Sequence, residues 1–404
     1  MKKILIINTT FDKGGAAKVA RDLFYGLQGK DGRQLFFAYG RGGKSSEAGT
    51  FYFGNFLETL LHICLVRFFG LEGFGSYFAT KKLINYIKRE KFDLVNLHNL
   101  HGYYLNFFSL IKFLQTEKIP VVWNFHDEWP ITSLFAHSMG CAHCKSGIGK
   151  CTNSYSYPHT YFPIFSRYML KTKKKIFGGD WNLKIVSPAQ WLSESVKNSF
   201  LGKFEVRTIR NGVDTNLFKP TSDKNILRTK YAIPLDKKII LFSSGNLNDA
   251  NKGAGHILDL AKSLIGKNYL FLGLGGGSLP IMENLKLAGY INEKQKLADY
   301  LALADIFCST SLAETMPLTL LEAMSAGLPV IAFDIPATRE IVNDKVGKIV
   351  LAENKQLADF LVSLLSNEQD LKEKGVVARQ IVVENFSQAK FLEDYFKMYN
   401  ELLK

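Results

Sequence analysis

The sequence lacks several features that would place it in common protein classes. Its longest apolar stretch, from Phe56 to Leu71, is interrupted by Glu58, His62 and Arg67 and falls short of the roughly 18 apolar residues that a membrane-spanning helix needs. No apolar segment of signal-peptide length follows Met1, which predicts a cytoplasmic protein. An Asp-x-Asp pair and a GxGxxG loop are also missing, so the sequence indicates neither a metal-bridged diphosphate site nor a standard dinucleotide site.

Cysteine is scarce, with 5 residues in a chain of 404, so a disulfide-rich scaffold is excluded. Three of the five nevertheless lie close together, as Cys141, Cys144 and Cys151, with His137 nearby. Three thiolates and an imidazole suit a closed tetrahedral zinc site. Reduced thiols in a surface loop are the alternative, and the spacing leaves both interpretations open.

Composition and charge indicate a two-domain globular protein with anionic partners. A chain of 404 residues exceeds one ordinary hydrophobic core, and its formal charge of +14 favours negatively charged ligands. Nucleic acid is not expected, because no nucleic-acid-binding motif is found and the basic residues are scattered. The exception is the group Lys171, Lys173, Lys174 and Lys175, which follows an aromatic segment. This segment is either a solvated helix end or a peripheral contact with an anionic membrane surface.

Short apolar runs separated by helix-length segments predict an α/β architecture with parallel sheets. The first half of the chain has six such runs: Lys3 to Asn8, Gln34 to Tyr39, Phe92 to His98, Val121 to Asp127, Leu183 to Ser187 and Glu205 to Asn211. The second half has five: Lys238 to Ser243, Tyr269 to Gly273, Asp305 to Ser309, Pro329 to Phe333 and Lys348 to Val350.

Domain limits are indicated by composition. The polar, turn-rich stretch from Lys219 to Lys237 is typical of a linker, and Gln388 to Leu403 has the apolar periodicity of an amphipathic helix. We therefore predict an N-terminal domain over residues 1–218, a C-terminal domain over 219–386 and a closing helix over 387–404.

Two segments have the pattern of an anion site at a helix N-terminus. Gly14 and Gly15 follow the first predicted strand and open a helix, although a purely structural turn has the same pattern. In the second half, Pro317 and Gly327 frame a predicted helix of about ten residues. The amides near Leu318 and Thr319 would then face a pyrophosphate.

Four segments together carry a family resemblance. Glu314 and Glu322, followed by Ala-Met-Ser-Ala-Gly-Leu-Pro-Val, resemble the donor-binding signature of the retaining family-4 glycosyltransferases of GT-B fold. Residues 211–214 with Phe218 resemble the interdomain motif of that family, and residues 96–104 and 125–129 resemble its bacterial capsular and exopolysaccharide branch, of the colanic-acid type. The resemblance implies two Rossmann-like domains that face each other across a cleft, with the C-terminal helix packing back on the N-terminal domain.

The resemblance also implies roles for individual residues. Glu322 would hold the ribose hydroxyls, Glu314 the hydroxyls of the donor sugar, and Lys252 would neutralise the departing diphosphate. His126 would act on the sugar and acceptor side.

Five further residues would bind the donor through the backbone. Tyr290 and Ile291 would contact the base, and Gly245, Gly14 and Gly15 would admit the donor closely.

The function implied by the resemblance is metal-independent, retaining hexosyl transfer from a nucleotide-sugar, with no added cofactor. The acceptor would be a saccharide, lipid-linked and presented at the inner face of the bacterial membrane. Asn246 stands where the family usually has an arginine, and Arg210, Arg339 or Lys18 are candidates to supply the charge. A non-catalytic nucleotide-sugar-binding protein of the same fold is therefore the alternative. The donor base and sugar, the linkage and the oligomeric state are not determined by the sequence.

Overall fold

The computed structural model describes residues 2–138, 141, 145 and 157–403, and it divides into two compact units. The first unit comprises Met1–Ile209 together with Leu392–Lys404, and the second comprises Arg210–Phe391. These divisions lie near the predicted limits after residues 218 and 386.

The first unit contains a seven-stranded, wholly parallel sheet in the order β3-β2-β1-β4-β5-β6-β7. The central strands β4 and β5 are buried along their whole length, which explains their near-continuous apolar sequences. The strands are β1 (Lys3–Thr10), β2 (Gln34–Arg41), β3 (Thr50–Tyr52), β4 (Leu94–Leu97), β5 (Val121–Asn124), β6 (Leu183–Ser187) and β7 (Glu205–Thr208).

Helices connect these strands in the crossover manner that parallel pairing requires. They are α1 (Gly15–Leu27), α2 (Phe56–Phe69), α3 (Tyr77–Glu90), α4 (Phe107–Thr116), α5 (Ser166–Phe177) and α6 (Gln190–Lys197). Helix α3 begins at Tyr77, and the carboxylate of Glu58 accepts hydrogen bonds from the amides of Phe78 and Ala79 in its first turn.

The second unit contains a six-stranded parallel sheet in the order β10-β9-β8-β11-β12-β13. Its strands are β8 (Lys238–Asn246), β9 (Tyr269–Gly276), β10 (Leu285–Gly289), β11 (Ile306–Ser309), β12 (Val330–Phe333) and β13 (Gly347–Val350). Its helices are α7 (Lys224–Lys230), α8 (Ala254–Ser263), α9 (Lys294–Leu303), α10 (Leu318–Ser325), α11 (Pro336–Arg339), α12 (Asn354–Leu365) and α13 (Glu368–Asn385).

The last helix, α14 (Gln388–Leu402), returns the end of the chain to the first unit. Its residues Tyr395, Met398 and Tyr399 are buried, and Glu401 forms ion pairs with Lys184 and Arg207 of that unit. The predicted closing helix is therefore confirmed.

The predicted α/β, GT-B fold class is also confirmed, with three local differences. The stretch expected to be a linker contains α7, whose N-terminus is capped by the carboxylate of Asp223. Strands β3 and β10 were not predicted, since neither has a fully buried residue and so neither reads as an apolar run. Among the described residues, no helix is long and apolar enough to cross a membrane.

Candidate functional site

Each sheet has a point where the strand order reverses, and the predicted site residues of each unit follow the strands at that point. In the second sheet the reversal lies between β8 and β11, which pair directly although three connections separate them along the chain. Ligands of open parallel sheets bind outside the carboxyl ends of the strands at such a point. The loop with Lys252 follows β8, and the loop with Glu314 follows β11.

The two loops are joined by backbone contacts. The amide of Leu312 donates to the carbonyl of Asn251 over 2.8 Å. Gly253 has a φ of +67°, and a Cβ at this position would lie 1.9 Å from the carbonyl oxygen of Thr310. Only glycine permits so close an approach, which brings the neighbouring Lys252 next to the β11 loop.

Lys252 and Glu314 meet directly: Nζ lies 2.6 Å from Oε1. Their side chains are 29% and 22% exposed, so the pair is partly desolvated yet open to a ligand. An ammonium beside a carboxylate gives the site one cationic hydrogen-bond donor and one anionic acceptor.

Helix α10 begins directly after the Glu314 loop, at Leu318. Leu318 and Thr319 in its first turn are half-buried, and no side chain caps this end of the helix. Its free amides and dipole favour an anion. Glu322, one turn further on, is buried at 4% exposure. The helix is shorter than predicted, and Pro317 precedes it as the capping residue instead of being its first member.

The other residues predicted to bind the donor lie at the same edge of this sheet. Gly245 is the last residue but one of β8, and a Cβ there would meet no atom within 4 Å, so the backbone is open to close approach. Tyr290 and Ile291 follow the edge strand β10; the Tyr290 side chain is 56% exposed and Ile291 is half-buried.

The side chain of Asn246 stabilises the turn that follows β8: its Oδ1 accepts a hydrogen bond from the amide of Asn248 over 3.0 Å. The cations proposed as substitutes for an arginine there have other partners. Arg339 makes two hydrogen bonds to Asp334. Lys18 pairs with Asp22, and Arg210 lies over the ring of Phe386.

In the first sheet the reversal lies between β1 and β4. Gly14, with φ +92°, precedes α1, and a Cβ on Gly14 or Gly15 would meet no atom within 4 Å. The loop after β4 contacts the turn after β1, since the hydroxyl of Thr9 donates to the carbonyl of His101 over 2.9 Å. The end of β1, from which the chain leads to the two glycines, therefore contacts the loop after β4.

His126 follows β5 and contacts His98, which follows β4: His98 Nδ1 lies 2.8 Å from His126 Nε2. The amide Nδ2 of Asn124 lies 3.3 Å from His98 Nε2. Asn124 Nδ2 also donates to Asn96 Oδ1 and to the carbonyl oxygen of Leu97, so one polar cluster joins this amide to the histidine pair.

Burial lowers the pKa of His126 to about 4 and holds the pKa of His98 well below its usual range. Both rings are consequently neutral at pH 7.

A buried polar network that the sequence reasoning missed supports this histidine pair. Asn124 donates to Asn96 and accepts from the hydroxyl of Tyr395, while Asn96 donates to the hydroxyl of Tyr399. The signal for it was present in the sequence, since an asparagine interrupts each of the apolar runs β4 and β5. Its partners on α14 are distant in sequence, so only the fold identifies them.

His101 also has a specific partner: its Nε2 lies 2.8 Å from Asp127 Oδ2. Burial raises the pKa of Asp127, but the charge and hydrogen bond of His101 and a bond from the Trp129 amide outweigh burial and hold the pKa below its usual value. Sequence reasoning had given His101 no definite role.

Two known protein-family models match this chain. The model described as Glycosyltransferase Family 4 matches residues 13–217, and the one described as Glycosyl transferases group 1 matches residues 237–367. The chain belongs to glycosyltransferase family 4. The predicted family resemblance is therefore confirmed.

Two curated relatives have informative names. This glycosyltransferase is 29% identical over 364 residues, 87% of each chain, to the putative colanic acid biosynthesis glycosyl transferase WcaC of Escherichia coli K12. It is 24% identical over 227 residues, which are 52% of this chain and 57% of that relative, to an E. coli UDP-Gal:alpha-D-GlcNAc-diphosphoundecaprenol alpha-1,3-galactosyltransferase.

Among solved structures, Anabaena HepE in complex with UDP and glucose superposes with a TM-score of 0.71 at 15% identity, over 99% of this chain and 100% of HepE. At this identity the likeness establishes the shared fold.

The predicted zinc site lies mainly outside the described residues, because Cys144 and Cys151 are not among them. His137 and Cys141 are described and partly buried. Within the part of the chain that the structure describes, no group of three or more His, Cys, Asp or Glu side chains is arranged to hold a metal ion.

Proposed function

We propose that this glycosyltransferase moves a hexose from a nucleoside-diphosphate sugar to a lipid-linked saccharide, with retention of anomeric configuration, in the synthesis of a bacterial surface polysaccharide. The observation that carries the proposal is the Lys252–Glu314 pair, 2.6 Å apart, at the strand-order reversal of the second sheet. The names of the WcaC relative and of the undecaprenol-dependent galactosyltransferase support the pathway and the acceptor class. The UDP and glucose bound by HepE support the donor class.

The donor would exchange the internal ion pair for two contacts of its own. Lys252 would turn from Glu314 to the diphosphate, while the carboxylate of Glu314 would accept from sugar hydroxyls. Negative charge grows on the leaving diphosphate as the glycosidic bond breaks, so a fixed ammonium stabilises the transition state more than the ground state.

The remaining donor contacts would come from the second unit. The amides of Leu318 and Thr319 would bind phosphate oxygens, and the buried carboxylate of Glu322 would accept from ribose hydroxyls. Gly245 would allow the backbone to approach the donor, with the base near Tyr290 and Ile291.

In the first unit, we propose that His126 binds the sugar or the acceptor through Nδ1, the ring nitrogen that does not face His98. Gly14 and Gly15 would lie close to the donor phosphates at the start of α1. No side chain is assigned as a covalent nucleophile, and no metal ion is assigned to the reaction.

The first experiment is a thermal-shift screen against UDP-, GDP-, ADP- and dTDP-sugars, since a ligand of the folded state raises the melting temperature. Release of nucleoside diphosphate from the best donor then measures turnover, with and without a chelator. We expect Lys252→Ala to lower kcat by about 10²- to 10³-fold.

Lys262→Ala is the matched control, because this lysine is exposed and its ion-pair partner among the described residues is Asp259, three residues before it. Turnover by Lys252→Ala at the wild-type rate would contradict the proposal. NMR of the product gives the anomeric configuration and tests retention separately.

A second candidate function is nucleotide-sugar binding without transfer. It is favoured by Asn246, which stands in place of the expected arginine and holds its own turn together, and by the partners that Arg339 and Lys18 already have. A thermal shift with a nucleotide-sugar, together with no diphosphate release in the presence of any acceptor extract, would support this alternative.

A further inference from the structure

Helix α2 presents an apolar surface to solvent. Of its fourteen residues only His62 and Val66 are buried. The exposed ones include large apolar side chains at both ends of the helix: Phe56, Leu57, Leu60, Leu61, Phe68 and Phe69, at 42–78% exposure. An ordinary surface helix has its charged residues on this side.

The two charged residues of α2 are engaged elsewhere. The carboxylate of Glu58 accepts from the amides of Phe78 and Ala79, each over 2.8 Å, and so fixes α2 to the start of α3. Arg67 is half-buried, and its side-chain Nε is shielded from solvent. The outward stripe of the helix therefore has no charge.

Two other segments continue this surface. Phe74, 38% exposed, packs against Tyr168 of α5 at 6.0 Å between ring centroids. Phe68 packs against Tyr161 at 5.9 Å. Phe162 and Ile164, which lie between Tyr161 and Tyr168 along the chain, are 56% and 69% exposed. We call this surface, formed by α2, residues 74–78 and residues 161–168, the apolar face.

The charges around the apolar face have one sign. Residues 157–177 include no Asp or Glu, and residues 56–89 include only Glu58 and the buried Glu72. In α5, Arg167, Lys171 and Lys174 recur at helical spacing and are exposed. Of the four lysines singled out from the sequence, Lys173 alone is buried, where its ammonium donates to two backbone carbonyls.

We infer that the apolar face binds peripherally to an anionic lipid bilayer, with α2 lying in the interface and the basic residues of α5 against the headgroups. Aromatic and leucine side chains beside lysines, with no exposed acid among them, match the chemistry of such an interface. A protein partner would more often be met by a rim of mixed charge. The inference deepens the proposed use of a lipid-linked acceptor, but its test needs neither donor nor acceptor.

The first test is flotation of the full chain with vesicles of phosphatidylcholine alone and of phosphatidylcholine with phosphatidylglycerol. We expect binding to the anionic vesicles only. The double substitution Leu57→Glu/Leu61→Glu should lower the bound-to-free ratio by roughly tenfold or more, since it places charge on the inserted stripe. Ile226→Glu/Ile281→Glu is the control, because these residues of the second unit are also highly exposed, at 67% and 101%.

The basic contribution is tested by replacing Lys171, Lys174 and Lys175 with glutamine. Each lysine near an anionic surface strengthens binding several-fold, so the triple variant should bind on the order of a hundredfold more weakly. Glutamine at three exposed lysines of the second unit, Lys345, Lys355 and Lys372, gives a control of equal net charge.

A fluorescent probe on Cys64 reports direct contact, because this thiol is exposed on the stripe. In a variant with serine at Cys141, Cys144 and Cys151, an environment-sensitive dye on Cys64 should shift to the blue with anionic vesicles. The same dye on Ile281→Cys, with Cys64 also replaced by serine, should not shift.

Three outcomes would overturn the inference. Equal binding to neutral and anionic vesicles would show that the basic residues of α5 do not bind anionic headgroups. Unchanged binding by Leu57→Glu/Leu61→Glu would place the contact elsewhere. A wild-type dimer in light scattering that this variant converts to a monomer, with no vesicle binding by either, would assign the apolar face to a second copy of the chain. Because no sugar is present, these outcomes are separate from any failure of transfer.

Discussion

At the scale of single residues, the position of Lys252 depends on Gly253. Alanine there would adopt an unfavourable positive φ and place its Cβ against the carbonyl of Thr310. We expect Gly253→Ala to lower the free energy of unfolding by about 2–4 kcal/mol and to weaken donor binding. Urea denaturation and the thermal shift with donor measure the two effects.

Gly255→Ala is the matched control two residues away. Gly255 lies in α8, and a Cβ there would meet no atom within 4 Å. Because alanine favours a helix over glycine, this variant should be more stable by about 0.5–1 kcal/mol. Equal stability of the two variants would show that the contact with Thr310 does not restrict this turn.

The neutral state of His126 gives a prediction about pH. Its pKa is about 4 in the folded protein and near 6.5 when unfolded, so the unfolded chain binds more protons between these values. The free energy of unfolding should fall as the pH drops from about 6.5 to 4, by up to about 3 kcal/mol from this group.

His126→Gln should remove part of that slope. Urea titrations at pH 8, 6 and 4.5 compare the two proteins, and the pH 8 values give the cost of the substitution itself. Parallel curves for the variant and the wild type would mean that His126 does not titrate in this range.

At the scale of secondary-structure elements, α14 is joined to the first sheet by tyrosine hydroxyls. Tyr395→Phe would leave the side-chain oxygen Oδ1 of the buried Asn124 without its hydrogen-bond donor. We expect the free energy of unfolding to fall by about 1–3 kcal/mol. Through the Asn124–His98 contact, the loss should also alter the chemical shift of the His126 ring.

Tyr77→Phe serves as the control, since Tyr77 is 54% exposed and the same chemical change there should stay within about 0.5 kcal/mol. An altered stability with an unchanged His126 signal would limit Tyr395 to a structural role.

At the scale of the whole molecule, the two units should respond differently to a donor. We expect a bound nucleotide-sugar to slow amide hydrogen exchange most in the loops of Lys252 and Glu314 and in the first turn of α10. The second sheet should gain protection through linkage, because the ligand stabilises the folded unit that binds it. Stronger protection in the β1 and β4 loops than in these segments would reverse the assignment of the donor to the second unit.

The sequence by itself determined the α/β class, the buried strands and the family, because parallel strands are continuous apolar runs and the motif of Glu314 and Glu322 is local. The short edge strands β3 and β10 could not be predicted, since their burial depends on neighbours that are distant along the chain.

Only the tertiary structure decided which side chains meet. The ion pair of Lys252 and Glu314 joins residues that follow β8 and β11, and the Asn124–Tyr395 bond joins residues 271 positions apart. The exposure of α2 could likewise not be predicted from the sequence, because an apolar helix has the same sequence pattern whether it faces the core or the surface. Contacts of this kind are set by strand order and helix orientation, which local sequence patterns do not specify.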